Sequence, residues 1–367
     1  MKKAFAFLLS IGAVEAVLSA EVVSLDGVWQ LKTFPQPADG AIRSLPLPAG
    51  LGVKSYCASV PGCCEEEVWK AGELPDYLYS TNAFAWRRME GNQWLYSRSF
   101  RAPARRPGER AVLVFEGIDT LADVFLNGKK VGEAENMQIP HEFDVTKAVR
   151  TDAENEVSVL IRPVGLAARE RVVGEFGMTM SGGTDADAFR KAYYMYGWDI
   201  APRLPVSGLW RGVRFEVRPA DRIEDVAWLV TDIDVPGRRA AVGMKCRVVA
   251  PFDRLYSAKV RHSLSLRGKV VFSRTEALES FNRREFSKEF GVKDAEFWWP
   301  RGLGAPTLYD ARVELIAADG RVLAKDERKF GIRTVALEYD DRKLPERPGR
   351  FLFRVNGEPV FVRGLDW

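Results

Sequence analysis

The chain has 367 residues, which is room for two or three domains. It is 46% hydrophobic and 28% charged, the balance of a globular protein rather than of a disordered chain. Lys and Arg number 54 against 50 Asp and Glu, spread without a basic face, which excludes the footprint of nucleic-acid binding; with two histidines, a His-rich metal site is excluded too.

Taken in chain order, Lys2 and Lys3 precede an apolar run from Ala4 to Val14, with small residues at Ser19-Ala20. Residues 1–20 therefore read as an export signal, although Glu15 interrupts the run and Leu18 is larger than the residue expected three positions before a cut after Ala20. The run is too short to span a bilayer comfortably, and no later stretch is longer. The expected location is periplasmic or extracellular, with no membrane span once the signal is removed.

Residues 21–220 read as one all-β domain. Short runs rich in Val, Leu, Phe, Tyr and Trp alternate with turn residues at close spacing. Ala111–Phe115, Ala122–Leu126 and Glu156–Ile161 are strands, and Asn127-Gly128 closes a hairpin. Glu65–Gly72 is a helical turn or two ending at glycine. About 170 residues of strands without long helices fit a two-sheet jelly roll. Residues 174–187, rich in Gly, Met, Ser and Thr, read as a long loop. The densest basic stretch, Arg101–Arg110, contains two prolines and reads as a solvated loop. Cys57, Cys63, Cys64 and Cys246 match no zinc spacing. They are packing residues or hold one local disulfide, which export permits.

Residues 221–339 form a second β domain with strand candidates at Val226–Val230, Ala241–Val249, Ala258–Leu266, Phe286–Phe290 and Leu308–Ile316. Their rhythm suggests an immunoglobulin-like sandwich. His262, in one of these alternating strands, is a surface or packing residue. Residues 340–349 read as a linker. Phe351–Trp367 then reads as two short strands around Asn356-Gly357, the dipeptide suited to a two-residue hairpin. The second run is apolar, and nothing after Trp367 buries it, so a third domain is expected to begin here and be cut off.

Several stretches in order resemble glycoside hydrolase family 2, and within it the β-mannosidase-like branch. They are Ser24-Leu-Asp-Gly-Val-Trp29, Val60-Pro-Gly62, Leu74-Pro-Asp-Tyr77 with Asn82 and Trp86, and Trp94-Leu-Tyr-Ser-Arg-Ser-Phe100. Phe115-Glu-Gly-Ile-Asp-Thr120 and Val124-Phe-Leu-Asn-Gly128 follow, then Arg190-Lys-Ala-Tyr-Tyr-Met-Tyr-Gly-Trp-Asp199 with Pro202 and Gly208-Leu-Trp-Arg211. Phe297-Trp-Trp-Pro300, Gly304, Leu308-Tyr309 and Phe330-Gly-Ile-Arg-Thr334 match the second domain. Three differences stand out. Ile200-Ala201 replaces Trp-Gly after the Gly-Trp-Asp segment, Ala83 rather than an acidic residue follows Asn82, and Asp366 stands where the family usually has Asn.

The resemblance implies an all-β start, with a jelly-roll sugar-binding domain and an immunoglobulin-like sandwich, then the first strands of a truncated (β/α)8 barrel. It implies a retaining glycosidase that uses two carboxylates about 5–5.5 Å apart and no cofactor or metal. Both carboxylates are expected at barrel strand ends beyond this chain, so no catalytic residue is assigned here and the fragment is expected to be inactive alone. Asn155-Glu156 imitates the Asn-Glu pair of such enzymes but opens a jelly-roll strand, and is rejected. By the same resemblance Asp199 reaches the sugar's hydroxyls, and Trp198 stacks on the ring or locks Asp199. Asp366 and Trp367 fall beside the pocket at the end of the first barrel strand. Arg190 and Lys191 pair with acidic groups to hold the loop, and Trp298 and Trp299 are packing residues. The partner implied is carbohydrate, a terminal β-linked sugar, while the oligomeric state is unassigned. The alternatives are a stand-alone carbohydrate-binding protein, a structural or adhesive sandwich, and the same portion of a β-galactosidase, β-glucuronidase or exo-glucosaminidase.

Overall fold

A computed structural model of the chain describes residues 20–171, 184–199, 201–278, 285–340 and 349–364. They fall into two compact units, residues 20–218 and 219–367.

Among its described residues the first unit holds ten strands: β1 (Glu21–Ser24), β2 (Gly27–Pro35), β3 (Lys54–Val60), β4 (Asn92–Arg101), β5 (Arg110–Phe115), β6 (Leu121–Leu126), β7 (Lys129–Ala134), β8 (His141–Asp144), β9 (Glu154–Arg162) and β10 (Val213–Arg218). They pair antiparallel in a four-stranded sheet, β1-β10-β5-β8, and a six-stranded sheet, β3-β2-β4-β9-β6-β7. The alternation of the sequence decides what lies between them. Trp29, Leu31, Trp94, Tyr96, Val157, Val159, Val124 and Leu126 meet Leu113, Phe115, Val213 and Phe215 in one core. Each fully buried Leu or Phe is worth about 2 kcal/mol by the apolar area it removes from water.

β6 and β9 are buried on both faces, which explains why they read as nearly continuous apolar runs. Beyond the six-stranded sheet Phe34, Leu95, Phe125 and Leu160 lie under Ile42, Leu45, Leu47 and Leu51. Nearby, Leu121 packs with Val164, Ala186 and Tyr196. The short helix α1 (Cys64–Lys70) ends before Gly72, whose φ of +71° supplies the left-handed residue of the stop. Two further short helices, α2 (Ala83–Trp86) and α3 (Val164–Ala168), belong to the same unit. Asn127 and Gly128 have φ of 53° and 76°, the pair of positive values that a two-residue hairpin requires.

The second unit contains β11 (Arg222–Asp234), β12 (Arg239–Val249), a helical turn α4 (Phe252–Leu255), β13 (Lys259–Leu266), β14 (Lys269–Ala277), β15 (Glu285–Lys293), β16 (Tyr309–Ile316) and β17 (Val322–Phe330). Sheets β11-β12-β15 and β14-β13-β16-β17 form the sandwich. Along β12 the residues Ala240, Val242, Met244, Cys246 and Val248 all point inward, a strict period of two. His262 is also inside, with no exposed surface. All four cysteines are free thiols; Cys64 and Cys246 are core residues, and Cys64 donates to the Tyr96 hydroxyl at 3.3 Å.

A small antiparallel sheet follows, made of β18 (Val335–Tyr339), β19 (Phe351–Val355) and β20 (Glu358–Val360) in that order. Its hairpin turns at Asn356 and Gly357, with φ of 52° and 84°. Asn356 fixes the sheet to the sandwich: its side chain accepts from Thr334 N and donates to Trp298 O, each at 3.0 Å. Leu337, Tyr339 and Phe351 remain exposed on one face, and so do Phe361 and Val362 beyond it. Among the described residues no sheet closes into a barrel.

Candidate functional site: the Trp198–Asp199 turn

The segment from residue 184 to 208 lies on the first unit. A 3-10 turn at Tyr193–Tyr196 buries Tyr196 against Leu121 and Val164. Gly197 follows with φ of 110°, a conformation that L side chains rarely adopt. Trp198 and Ala201 then exchange backbone hydrogen bonds of 3.1 and 2.6 Å, and Leu204 N donates to Met195 O at 2.8 Å. The result is a miniature hairpin with Asp199 at its tip. Asp199 has φ of 42°, a left-handed position that Asp tolerates better than most residues.

The turn presents two groups outward. Asp199 is exposed, and 47% of Trp198 is accessible despite its size. A carboxylate accepts two directed bonds from neighbouring hydroxyls, and an indole face stacks on an apolar ring surface. An adjacent pair held on a stiff turn is therefore chemistry suited to a polyhydroxylated ring.

Buried charges hold the base of the segment. The Lys191 ammonium is wholly buried, 2.5 Å from Asp119 Oδ1 and 2.5 Å from Val206 O. The Thr120 hydroxyl donates to the same Asp119 oxygen. Asp119 and Gly208 exchange backbone bonds of 2.8 and 3.1 Å. Gly208 is required by the close approach of two stretches of backbone, because a Cβ there would lie 2.5 Å from Gly62 O. Glu65, from the first turn of α1, accepts from Ser207 N at 2.9 Å. Burial pushes its carboxyl up to about 7, against the lowering effect of that bond. Further out, Arg203 pairs with Glu90 and Asp185 at 2.8 and 2.6 Å.

Of the expected site residues, the structure brings Trp198 and Asp199 together, whereas Asp366 and Trp367 lie outside the described residues. Part of the long loop expected at 174–187 also lies outside them; Thr184–Ala186 is a 3-10 turn. Lys191 pairs with an acid as expected. Asn155 is a structural residue: it is buried, and its amide bonds Arg150 N, Arg150 O and Asn127. Trp298 is half-buried beneath the Arg333 guanidinium, 4.2 Å from the ring centre, and Trp299 packs against the sandwich core. Sequence reasoning missed Asp119, Glu65, Glu90, Asp185 and Arg203, which lie up to 142 residues from their partners and carry no local pattern. Among the described residues no group of three or more His, Cys, Asp or Glu side chains is placed to hold a metal ion.

The galactose-binding domain-like model of glycosyl hydrolase family 2 matches residues 35–211, and a second family 2 model matches residues 222–333. The chain belongs to glycoside hydrolase family 2. Within the family it is β-mannosidase-like. It is 32% identical over 314 residues to β-mannosidase B of Aspergillus terreus, across 84% of this chain and 36% of the fungal protein. The β-D-mannosidase of Dictyoglomus thermophilum superposes with a TM-score of 0.76 at 28% identity, covering 95% of this chain and 40% of that one. A Bifidobacterium dentium β-glucuronidase, solved with coumarin-3-O-glucuronide, gives a TM-score of 0.64 at 26% identity over 93% of this chain and 51% of that one. The family 2 chain described here thus spans a little over a third of the length of the curated relatives it matches.

Proposed function

We propose that this chain is the scaffold and one pocket wall of an exported, β-mannosidase-like retaining exo-glycosidase that removes terminal β-linked sugars from oligosaccharides or glycans. The observation that carries the reading is the hydrogen-bonded, outward-facing Trp198–Asp199 turn in a chain similar over most of its length to β-mannosidases. Asp199 accepts hydrogen bonds from two hydroxyls of the bound sugar, and Trp198 lies against its ring.

The two catalytic carboxylates belong to chain beyond these 367 residues, so the fragment alone does not turn over substrate. The support is proportion: the stretch shared with β-mannosidase B of Aspergillus terreus is only 36% of that protein's length. The exposed apolar residues Leu337, Tyr339 and Phe351 are a surface for that remainder to cover. Export rests on Lys2, Lys3 and the apolar run after them. No helix among the described residues is long and apolar enough to cross a membrane.

The test is hydrolysis of 4-nitrophenyl β-D-mannopyranoside by the 367-residue chain and by the longer protein. The first is expected to be silent and the second active, with Asp199→Ala lowering the longer protein's rate by orders of magnitude while its melting temperature holds. Turnover by the 367-residue chain, or an unchanged rate in Asp199→Ala, refutes the reading. A second reading, hydrolysis of a β-glucuronide, is favoured by the glucuronidase superposition and is separated by the matching 4-nitrophenyl glucuronide.

A further inference from the structure

Arg203 stands on the return limb of the site turn, two residues past Ala201. Its Nε lies 3.1 and 3.2 Å from the two carboxylate oxygens of Glu90, and its Nη2 lies 2.8 Å from Glu90 Oε2. The same Nη2 reaches Asp185 Oδ2 at 2.6 Å. Its guanidinium carbon sits 5.1 Å from the ring centre of Tyr196, on the outgoing limb. One side chain therefore joins both limbs of the turn to two separate anchors. Glu90 belongs to the 3-10 turn at Arg87–Gly91 that leads directly into β4, and Asp185 to the turn at Thr184–Ala186. Arg203, Glu90 and Asp185 are each only about one-fifth exposed, so water screens these pairs little.

The local bonds of the turn do not do this work. Trp198–Ala201 and Leu204–Met195 close the hairpin on itself, and they would do so whichever way it leaned from the sheet. Leaning is resisted by the planar fork, which holds two carboxylates in fixed directions at once. Lysine, a point charge on a flexible stem, cannot replace it.

We propose that Arg203 is the positioning residue of the site: it fixes the direction in which the turn presents Asp199 and Trp198 to a sugar. Its role in recognition rests on the reading of Asp199 given above, whereas its hold on the turn does not.

The experiment is amide hydrogen exchange by NMR on the 367-residue chain, comparing wild type with Arg203→Lys, Arg203→Met and Glu90→Gln. Losing charge-assisted bonds of this kind is expected to speed exchange at the Trp198 and Ala201 amides by about tenfold or more. The Leu95 and Val159 amides, in β4 and β9, are expected to keep their wild-type rates. Arg203→Lys is expected not to rescue. Turn amides that exchange at wild-type rates in Arg203→Lys and Arg203→Met, or only in step with the core amides, overturn the proposal. If Arg203→Met does not fold, Arg203→Lys and Glu90→Gln decide it in the same way.

A second arm titrates methyl β-D-mannopyranoside and follows the Trp198 indole resonance. The shift is expected in wild type, weaker in Arg203→Lys, absent in Asp199→Asn, and no weaker in the double variant than in Asp199→Asn. A full wild-type response in Arg203→Lys sinks the clamp and leaves the sugar reading standing. No response in wild type, together with faster turn exchange in Arg203→Lys, sinks the sugar reading and leaves the clamp.

Discussion

His262 is a histidine whose charged form the fold disfavours. Its ring has no exposed surface and lies among Phe272, Phe286 and Phe290, with ring centres 5.4, 5.8 and 5.5 Å away. Neither ring nitrogen has a hydrogen-bond partner. The facing charged groups are Glu276, 4.0 Å from Nε2, with Arg274 and Lys288 opposing its effect. Burial outweighs the Glu276 carboxylate, so the imidazole's pKa is held below its ordinary value.

The sign follows from linkage. The unfolded chain takes up a proton near pH 6.5 and the folded unit does not, so stability falls as pH drops from about 6.5 toward the lowered folded value. The steepest loss is about 1.4 kcal/mol per pH unit. Replacement by leucine, apolar and of similar volume, removes that slope. It also relieves two buried unpartnered nitrogens, worth about 1–3 kcal/mol between them at neutral pH. His262→Leu is therefore expected to be the more stable protein at pH 7.5, with a margin that widens toward pH 5. Exchange of the β13 amides in urea, read by mass spectrometry, reports this unit alone. Because all other titrating groups are shared, the difference between the two proteins isolates His262. A margin that stays constant from pH 7.5 to 5 would refute the argument, and a margin that shrinks would reverse its sign.

The buried charges under the site turn give two further expectations. Lys191→Met leaves Asp119 charged and unpaired in the interior and is expected to cost about 3–5 kcal/mol in chemical denaturation, with Asp119→Asn added to it restoring part of the loss. Glu65 has a folded carboxyl raised to about 7, so its destabilisation is absent below the unfolded value near 4.5, grows as pH rises between the two, and is complete above 7. Glu65→Gln keeps an acceptor for Ser207 N without the charge, and thermal melts are expected to favour it over wild type by on the order of 3 kcal/mol more at pH 8 than at pH 5; a pH-independent difference would contradict the cause assigned.

Much of the fold was legible because its signals are local. Alternation in β12, the double-sided apolar runs of β6 and β9, and Asn-Gly at 127–128 and 356–357 each act within a few residues. β14 and β17 escaped notice because they are largely exposed: Lys269–Ala277 and Val322–Phe330 bury little, and charged residues interrupt any period of two. Those strands form because β13 and β16 offer them free backbone edges, a property of the neighbour and not of their own residues. His262 shows the converse, since its alternation placed it on a face without saying which face would be sealed.

By itself, then, the sequence determined the β class and the tight turns, because backbone sterics and side-chain period act over short stretches. Tertiary structure decided the rest. Arg203 meets Glu90 from 113 residues away, Lys191 meets Asp119 from 72, and Glu65 meets Ser207 from 142. Only packing brings such groups within 3 Å and strips away their water. The low dielectric around a buried charge, which gives these pairs their strength and shifts Glu65 and His262 in opposite directions, exists only once the chain has folded.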